Sequence, residues 1–246
     1  MSIVLVTGGS GTLGRHLVSI LGSRGHEVRV LSRRPGAGTH VGDLASGAGV
    51  AEASAGAELV VHAASDQRMG RTDRLQTANL LDALPSCRHL VYVSIVGVDA
   101  IPLGYYRTKL ACEELIGGSA TPATVLRATQ FHELLASALR GAARLPVAPL
   151  PLDALFQSVA AAEVAGRVAD VLAGPALGRA PDFGGPEVLN GWQLVAAWRA
   201  RLGGPRSVLN LRLPGRIYRA FADGLNTSPD HADGRQRWAE FVAGQE

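Results

Sequence analysis

The sequence predicts an α/β fold in which a doubly wound parallel sheet is followed by a small C-terminal lobe. Through the first half of the chain, short apolar runs alternate with helix-length segments, which is the pattern of a parallel sheet covered by helices. A glycine-rich turn joins the first apolar run to the first helical segment. The 246 residues, 47% of them apolar, are enough for one such domain with an appended lobe.

The first half of the chain supplies the strands and helices of this sheet in order. Strands are predicted at residues 3–7, 27–31, 40–41, 58–63, 89–94 and 124–127. Helices are predicted at residues 12–24, 72–84 and 105–116. Each helix is followed by a stop signal: Gly25 after the first, Pro85 after the second and Gly117-Gly118 after the third.

Beyond about residue 130 the alternation is less regular, and Pro146, Pro149 and Pro151 indicate a loop-rich stretch. Helices are predicted at residues 163–172, 191–202 and 214–223, with a strand at 208–211. Trp238 and Phe241, spaced i, i+3, predict a short last helix that packs on the body of the protein. Because no change of composition marks a linker, we expect residues 1–130 to form the sheet domain and residues 131–246 a smaller lobe interleaved with it.

Composition excludes several function classes. The net charge of +3 is carried by scattered arginines without interleaved aromatic residues, which argues against nucleic-acid binding. The apolar runs are far shorter than the roughly 20 residues of a membrane span, and the N-terminus does not resemble a secretory signal, so a cytoplasmic location is expected.

Cys87 and Cys112 are isolated and are expected to be buried apolar residues. The histidines lack metal-ligand spacing, so no metal is expected.

The turn after the first strand has the composition of a phosphate-binding loop. It follows Thr7 and reads Gly8-Gly9-Ser10-Gly11-Thr12-Leu13-Gly14. Glycines allow the backbone to turn tightly and to approach a pyrophosphate, and the helix that follows offers its unpaired N–H groups to the phosphates. Because the loop lies between a predicted strand and a predicted helix, it predicts a dinucleotide site in a Rossmann-type fold.

The end of the second strand indicates which dinucleotide is bound. An NAD site usually has a carboxylate there to bind the ribose 2′-hydroxyl, whereas this chain has Ser32 followed by Arg33 and Arg34. A guanidinium can bind a 2′-phosphate with two hydrogen bonds, so the sequence favours NADP over NAD, with Arg33 as the main contact. The alternative is that the two arginines form a solvated surface turn.

Three further segments fall where the carboxyl ends of strands would line a dinucleotide groove. Asp43-Leu44 follows the third strand, Ala63-Ala64-Ser65 lies at the end of the fourth, and Ser94 ends the fifth. Each alone is more often a structural residue, but together they occur in the order that such a groove requires.

With these motifs the sequence resembles the short-chain dehydrogenase/reductase superfamily, and within it the atypical or extended branch that includes NmrA-like and nucleoside-sugar-epimerase-like members. The resemblance covers about the first 130 residues and rests on residues 6–14, 42–44, 61–64, 91–94 and 105–109. Residues 125–131 also resemble the stretch that meets nicotinamide and substrate in this branch. The resemblance implies that Gln130 and Phe131 contact substrate. His132, the next residue, is a further candidate for the substrate pocket, although a surface position on a helix is at least as probable for it.

The YxxxK motif of this family falls on Tyr105 and Lys109, the only lysine in the chain. Residues i and i+4 share a helix face, and a nearby ammonium is expected to lower the pKa of the phenol. The resemblance implies that Tyr105 is the general acid or base and that Lys109 tunes it and binds the cofactor ribose. The catalytic hydroxyl of the extended family would fall on Val96, so either Ser94 replaces it or this donor is missing.

Two functions follow as hypotheses. The first is an NADP-dependent oxidoreductase of the short-chain type that transfers hydride between nicotinamide and a small carbonyl, alkene or quinone-like substrate. The second, motivated by Val96, is a non-catalytic NADP-binding redox sensor that acts through a protein partner. A small-molecule substrate and a monomer or homodimer are expected.

Overall fold

The computed structural model describes residues 1–36, 38–66, 70–84, 86–204 and 207–245. Its strands are β1 (Ile3–Thr7), β2 (Glu27–Ser32), β3 (Thr39–Val41), β4 (Leu59–His62), β5 (His89–Ile95), β6 (Ala123–Ala128), β7 (Val147–Leu150), β8 (Leu155–Phe156), β9 (Gly178–Arg179), β10 (Leu189–Asn190) and β11 (Ser207–Asn210). Its α-helices are α1 (Thr12–Ser23), α2 (Val50–Ser54), α3 (Asp73–Asp82), α4 (Gly104–Gly117), α5 (His132–Ala142), α6 (Ala161–Ala173), α7 (Gly191–Leu202), α8 (Arg216–Ala222) and α9 (Trp238–Ala243).

The chain divides into two compact units. Unit 1 comprises residues 1–94, 104–127 and 164–181, and unit 2 comprises residues 95–103, 128–163 and 182–246. The functional division at residue 130 stays a prediction. In the described part of the chain, no helix is both long enough and apolar enough to cross a membrane.

Unit 1 is built on a seven-stranded sheet with the order β3-β2-β1-β4-β5-β6-β9. Strand β1 pairs in parallel with β2 on one side and with β4 on the other, so the chain reverses its winding direction beside β1. Such a switch point leaves a crevice at the carboxyl ends of the strands, where α/β proteins bind their ligands. The predicted fold class, a doubly wound parallel sheet, is confirmed.

The register of the three central strands brings their ends to the same level. Thr7 of β1 lies opposite Leu31 of β2 and opposite His62 of β4. The residues that follow these strands therefore leave the sheet side by side: the glycine loop, Ser32 with Arg33, and Ala63 with Ala64. The sheet thus gathers three of the predicted cofactor segments at one edge.

The central strands β1, β4 and β5 are apolar on both sides because helices cover the sheet. Leu5, Val60, Leu90 and Tyr92 are fully or almost fully buried in one cluster with residues of α2, α3 and α4. Cys87 and Cys112 are free thiols that are buried, as expected. These layers hold the carboxyl ends of the strands in fixed positions.

Unit 2 has a separate core of aromatic and aliphatic residues from α5, α7 and α9. Trp238 stacks on Trp198 and on Phe241, which confirms the predicted packing of the last helix. Helix α7 starts with a capping box between Asn190 and Gln193, so its first backbone N–H groups have acceptors. Two small sheets, β8 with β10 and β7 with β11, complete the unit.

Most predicted elements agree with the structure to within two residues, including all six predicted strands of the first half. The short helix α2, the helix α5 and the strands β7 to β10 were not predicted. Strands β8, β9 and β10 have two residues each, which is too short for a period-2 pattern to be read. The proline expected to stop α3, Pro85, lies outside the described residues, and α3 itself ends at Asp82.

Candidate functional site

The glycine loop is closely packed, and two of its glycines have no room for a side chain. Gly8 has a φ of +73°, and a Cβ there would lie 2.8 Å from the backbone of Ala63 and from Cα of Ala64. A Cβ on Gly14 would lie 2.1 Å from the carbonyl oxygen of Gly8. The loop can therefore fold tightly between β1 and α1 only because these residues are glycines.

The loop ends at the N-terminus of a twelve-residue helix that no side chain caps. Gly11 is the N-cap residue of α1, its own N–H donates to the carbonyl of Gly8 at 2.9 Å, and the first turn contains no acidic residue. The first N–H groups of a helix lack acceptors within the helix, and together with the helix dipole they favour an anion. The loop and helix thus fit a pyrophosphate, as the sequence predicts.

A buried hydrogen-bond chain fixes the segment that faces the glycine loop. The N–H of Ala64 donates to Oγ1 of Thr7 at 3.3 Å, and Oγ1 of Thr7 lies 2.7 Å from Nδ1 of His62. Nε2 of His62 lies 3.1 Å from Oγ1 of Thr77, which donates to the carbonyl of Asp73. His62 is therefore a neutral imidazole that donates from Nε2 and accepts at Nδ1.

Burial, and secondarily the charge of Lys109, lowers the pKa of His62 to about 3. The imidazole consequently stays neutral at physiological pH and keeps its place between Thr7 and Thr77. The role of His62 is structural, because its ring holds the Thr7 hydroxyl that accepts the N–H of Ala64. The sequence shows this histidine only as the last residue of a strand, and nothing there distinguishes it from a ligand.

Arg33 and Arg34 lie exposed at the end of β2, the position that the sequence predicts for a 2′-phosphate contact. Oγ of Ser32 accepts the backbone N–H of Arg34 at 3.1 Å and so closes the turn. Within the described residues, neither guanidinium is tied into an ion pair. Both side chains are therefore free to reorient toward an anion, and their cofactor role stays a prediction.

Asp43 and Leu44 have local structural contacts. The carboxylate of Asp43 accepts the N–H of Ala45 at 2.9 Å, and the side chain of Leu44 is buried in the core of unit 1. The carbonyl of Leu44 accepts from the side-chain amide of Asn79 at 2.7 Å. These contacts shape the loop after β3, whereas a contact of this loop with adenine stays a prediction.

Tyr105 lies in the first turn of α4, and its hydroxyl reaches the segment that follows β4. Oη of Tyr105 is 3.1 Å from Oγ of Ser65, and Oγ of Ser65 donates to the carboxylate of Asp73 at 2.7 Å. Its ring lies over Gly70, where a Cβ would be 2.8 Å from the ring. Residues 63–65 thus connect the two parts of the site, because Ala63 packs on Gly8 and Ser65 contacts Tyr105.

Lys109 lies one turn further along α4 and is 4% exposed. Its Nζ is 4.9 Å from the centre of the Tyr92 ring and 5.9 Å from the centre of the Tyr105 ring, and it donates to the carbonyl of Val93 at 3.4 Å. The YxxxK residues therefore share one helix face, as the spacing predicts. An ammonium held against two aromatic rings is stabilised by their electron-rich faces.

The expected lowering of the Tyr105 pKa is wrong for this structure. Burial raises the pKa of Tyr105 and the charge of Asp73 raises it further, whereas a hydrogen bond donated by Ser65 would lower it. Burial also lowers the pKa of Lys109, while nearby Asp73 acts in the opposite direction. Burial and the carboxylate of Asp73 together outweigh the ammonium of Lys109, and no sequence motif reveals either of them.

Ser94 is buried at the end of β5, where its hydroxyl donates to the carboxylate of Glu113. The same carboxylate forms a paired contact with Arg127, with Nη2 at 2.7 Å and Nε at 2.9 Å. The single hydroxyl proton of Ser94 is therefore engaged within the protein. Val96, at the position where the family has a hydroxyl, is a buried apolar residue.

The three predicted substrate residues belong to unit 2, and the side chains of two of them, Gln130 and His132, are hydrogen-bonded within that unit. His132 is fully buried: Nδ1 lies 2.8 Å from Oγ of Ser158, and Nε2 lies 3.0 Å from the carbonyl of Gln236. The alternative of a helix-surface position for His132 is wrong, because its ring stacks in the aromatic core at 5.0 Å from Phe241. The side chain of Gln130 hydrogen-bonds with Asn226.

The residue near Tyr105 that the sequence does not single out is Asp73. It is the first residue of α3, it is 2% exposed, and it receives hydrogen bonds from both Ser65 and the N–H of Asp66. Its only sequence signal is an acidic residue at the start of a predicted helix, which normally denotes a favourable interaction with the helix dipole. Its proximity to Tyr105 depends on the tertiary fold.

Comparison with known proteins agrees with this geometry. Residues 8–175 match the family described as NAD(P)H-binding. The chain is 46% identical over 69 residues to a 3-beta-hydroxysteroid dehydrogenase of Mycolicibacterium neoaurum, covering 25% of this chain and 19% of that protein. It is 32% identical over 159 residues to a 2-alkyl-3-oxoalkanoate reductase of Stenotrophomonas maltophilia, covering 50% of this chain and 48% of that protein. It therefore spans less than half the length of these curated relatives.

The fold is shared with solved structures at low sequence identity. An NADPH-dependent quinone oxidoreductase from Escherichia coli, complexed with NADPH, superposes with a TM-score of 0.82 at 20% identity, covering 97% of this chain and 98% of that one. Identity at this level shows the fold alone. The family match and the shared fold confirm the resemblance that the sequence motifs indicate.

Proposed function

The chain belongs to the NAD(P)H-binding family, and on this premise we propose that it is an NADPH-dependent reductase of the short-chain type. Its substrate is a small molecule with a carbonyl, alkene or quinone-like group, and the protein acts in the cytoplasm as a monomer or homodimer. One observation carries the proposal: residues 63–65 join a glycine cradle that fits a pyrophosphate to a tyrosine that lies on one helix face with a buried lysine.

The residues around the glycine loop bind and orient the cofactor in this proposal. Gly8 and Gly14 let the loop pack closely against Ala63 and against the start of α1, and the N–H groups at the start of α1 bind the pyrophosphate oxygens. Arg33 binds the 2′-phosphate from the end of β2, with Arg34 beside it. When bound, the nicotinamide supplies the hydride for the reduction.

Tyr105 and Lys109 carry out the proton chemistry. Oη of Tyr105 holds the proton that neutralises the substrate oxygen, and Lys109 holds a positive charge 5.9 Å from the centre of the Tyr105 ring. Ser94 is not the donor in this arrangement, because its hydroxyl already donates to Glu113. Tyr105 is therefore the sole polarising hydroxyl in the proposal, and this fits the apolar Val96 at the second family position.

The proposal is tested by NADPH oxidation in the presence of a panel of β-keto acids, steroid ketones, quinones and enones. We expect substrate-dependent loss of NADPH absorbance for at least one class. NADPH binding without turnover of any member would contradict the reductase and leave the sensor hypothesis, which no contact in the described residues favours. Failure to bind either NADPH or NADH would contradict both.

Replacing Arg33 by alanine tests the cofactor preference separately. The variant should bind NADPH about 10- to 100-fold more weakly and NADH about as well as the wild type, because only NADPH carries the 2′-phosphate that the guanidinium binds. Dissociation constants for both cofactors can be measured by fluorescence titration. Arg201→Ala, an exposed arginine on α7, is the matched control, and equal losses for both cofactors in Arg33→Ala would remove the argument for NADP.

A further inference from the structure

Ser65 donates a hydrogen bond to Asp73, because a carboxylate can only accept one. The carboxylate of Asp73 accepts at both oxygens, from the N–H of Asp66 at 2.6 Å and from Oγ of Ser65 at 2.7 Å. An ionised carboxylate is an acceptor only, so the hydroxyl proton of Ser65 must point to Asp73. Oγ of Ser65 then presents only lone pairs to its second partner.

That second partner is Tyr105. Its Oη lies 3.1 Å from Oγ of Ser65, and since Ser65 has no proton left to give, the hydrogen bond is donated by Tyr105. Such a bond exists only while Tyr105 is a phenol. If Tyr105 ionised, its oxygen would face lone pairs of Ser65, with a buried carboxylate directly behind them.

We propose that Asp73 is a positioning residue for the proton donor: acting through the Ser65 hydroxyl, its carboxylate keeps Tyr105 in the protonated form that the reduction requires. The inference rests on the proposed function for its catalytic consequence. The effect of Asp73 on the protonation state of Tyr105 does not depend on which substrate the protein reduces.

The surroundings of Tyr105 also favour its protonated form. Within the described residues, the titratable groups that act on Tyr105 are Asp73 on α3, Lys109 and Cys112 on α4, and Tyr92 on β5. Burial comes first among the causes that raise the pKa of Tyr105, and the charge of Asp73 adds to it. The opposing ammonium is that of Lys109, whose own pKa burial lowers.

The protonation state of Tyr105 determines how the rate of reduction depends on pH. Reduction needs the phenol, so activity is lost as the pH rises through the pKa of Tyr105, and a group that raises this pKa extends reduction toward alkaline pH. Removing the negative charge of Asp73 should move this loss of activity to lower pH.

Asp73→Asn is the informative substitution because it is nearly isosteric and reverses the direction of the hydrogen bonds from residue 73 through Ser65 to Tyr105. The amide oxygen can still accept from the N–H of Asp66, while the amide nitrogen donates to Ser65. Ser65 can then donate its own proton to Tyr105, which stabilises the phenolate. We therefore expect the pKa of Tyr105 to fall in this variant.

Two measurements test this on the full chain with NADPH. The ultraviolet absorbance of tyrosinate, taken as the difference between each protein and its Tyr105→Phe counterpart, reports Tyr105 without any substrate. With a substrate from the panel, we expect the alkaline loss of kcat/KM for reduction to move to lower pH by about 1 unit, while kcat/KM at about pH 6 changes less than about twofold. Asp82→Asn, an exposed aspartate at the other end of α3, is the control and should leave both unchanged.

Ser65→Ala provides a second test that does not depend on the folding of Asp73→Asn, because Ser65 is exposed. If Ser65 only accepts from Tyr105, its removal takes stabilisation from the phenol, and the pKa of Tyr105 falls. If Ser65 donates to Tyr105, the pKa rises, and that result would overturn the proposal. An unchanged titration in both variants would overturn it as well, whereas a normal titration shift with no turnover of any substrate would contradict only the reductase function.

Discussion

Tyr105→Phe is expected to lower kcat for reduction by about 10²- to 10⁴-fold, which is the usual contribution of a positioned general acid. The substitution removes one oxygen atom, whose contact within the described residues is with Ser65, and it keeps the ring over Gly70. The dissociation constant of NADPH should therefore change by less than about threefold. Steady-state kinetics with the best substrate of the panel, combined with a cofactor titration, would measure both quantities.

Tyr218→Phe is the matched control for this experiment. The hydroxyl of Tyr218 is buried, and within the described residues it has no hydrogen-bond partner, so its removal should leave kcat unchanged. If Tyr105→Phe retained wild-type kcat while NADPH was still consumed, the proton would come from another group, and the role given to Tyr105 would be wrong. A loss of both kcat and NADPH affinity would instead indicate that the substitution disturbs the segment at Ser65.

The parts of the fold that were predictable from sequence are those set by local pattern. The strand, glycine loop and helix from Ile3 to Ser23 are specified by consecutive residues, because the apolar run, the glycines and the helical period act over short distances. Strands β8 and β10 pair two residues each in unit 2. Their pairing depends on the surrounding core and not on their own composition.

The candidate site shows the same division. The spacing of Tyr105 and Lys109 predicts a shared helix face, and the structure has it. The raised pKa of Tyr105 could not be predicted, because it comes from burial and from the charge of Asp73, which is 32 residues away in sequence and hydrogen-bonds with Ser65 beside the phenol. The contact of Ser94 could not be predicted either. Its type and position suggest a catalytic hydroxyl, but the packing of α4 on the sheet brings Glu113 to it, and the hydroxyl donates to that carboxylate.

Gly14→Ala is expected to have the largest effect on cofactor binding. The added Cβ would lie 2.1 Å from the carbonyl oxygen of Gly8 and 2.6 Å from Cα of Gly9, and both are backbone atoms that no rotamer change can move. The loop must therefore separate from α1, which displaces the N–H groups proposed to bind the pyrophosphate. We expect NADPH affinity to fall by more than about 100-fold and the free energy of unfolding to fall by about 1–3 kcal/mol.

Gly22→Ala separates this steric effect from the general effect of replacing a glycine in a helix. Gly22 lies in the same helix, and a Cβ there has no atom within 4 Å. Its substitution should stabilise the protein by up to about 1 kcal/mol and leave NADPH affinity unchanged. Denaturant unfolding and cofactor titration of the two variants side by side would measure this contrast. If Gly14→Ala bound NADPH as tightly as Gly22→Ala, the close approach of loop and helix would not be what forms the cofactor site.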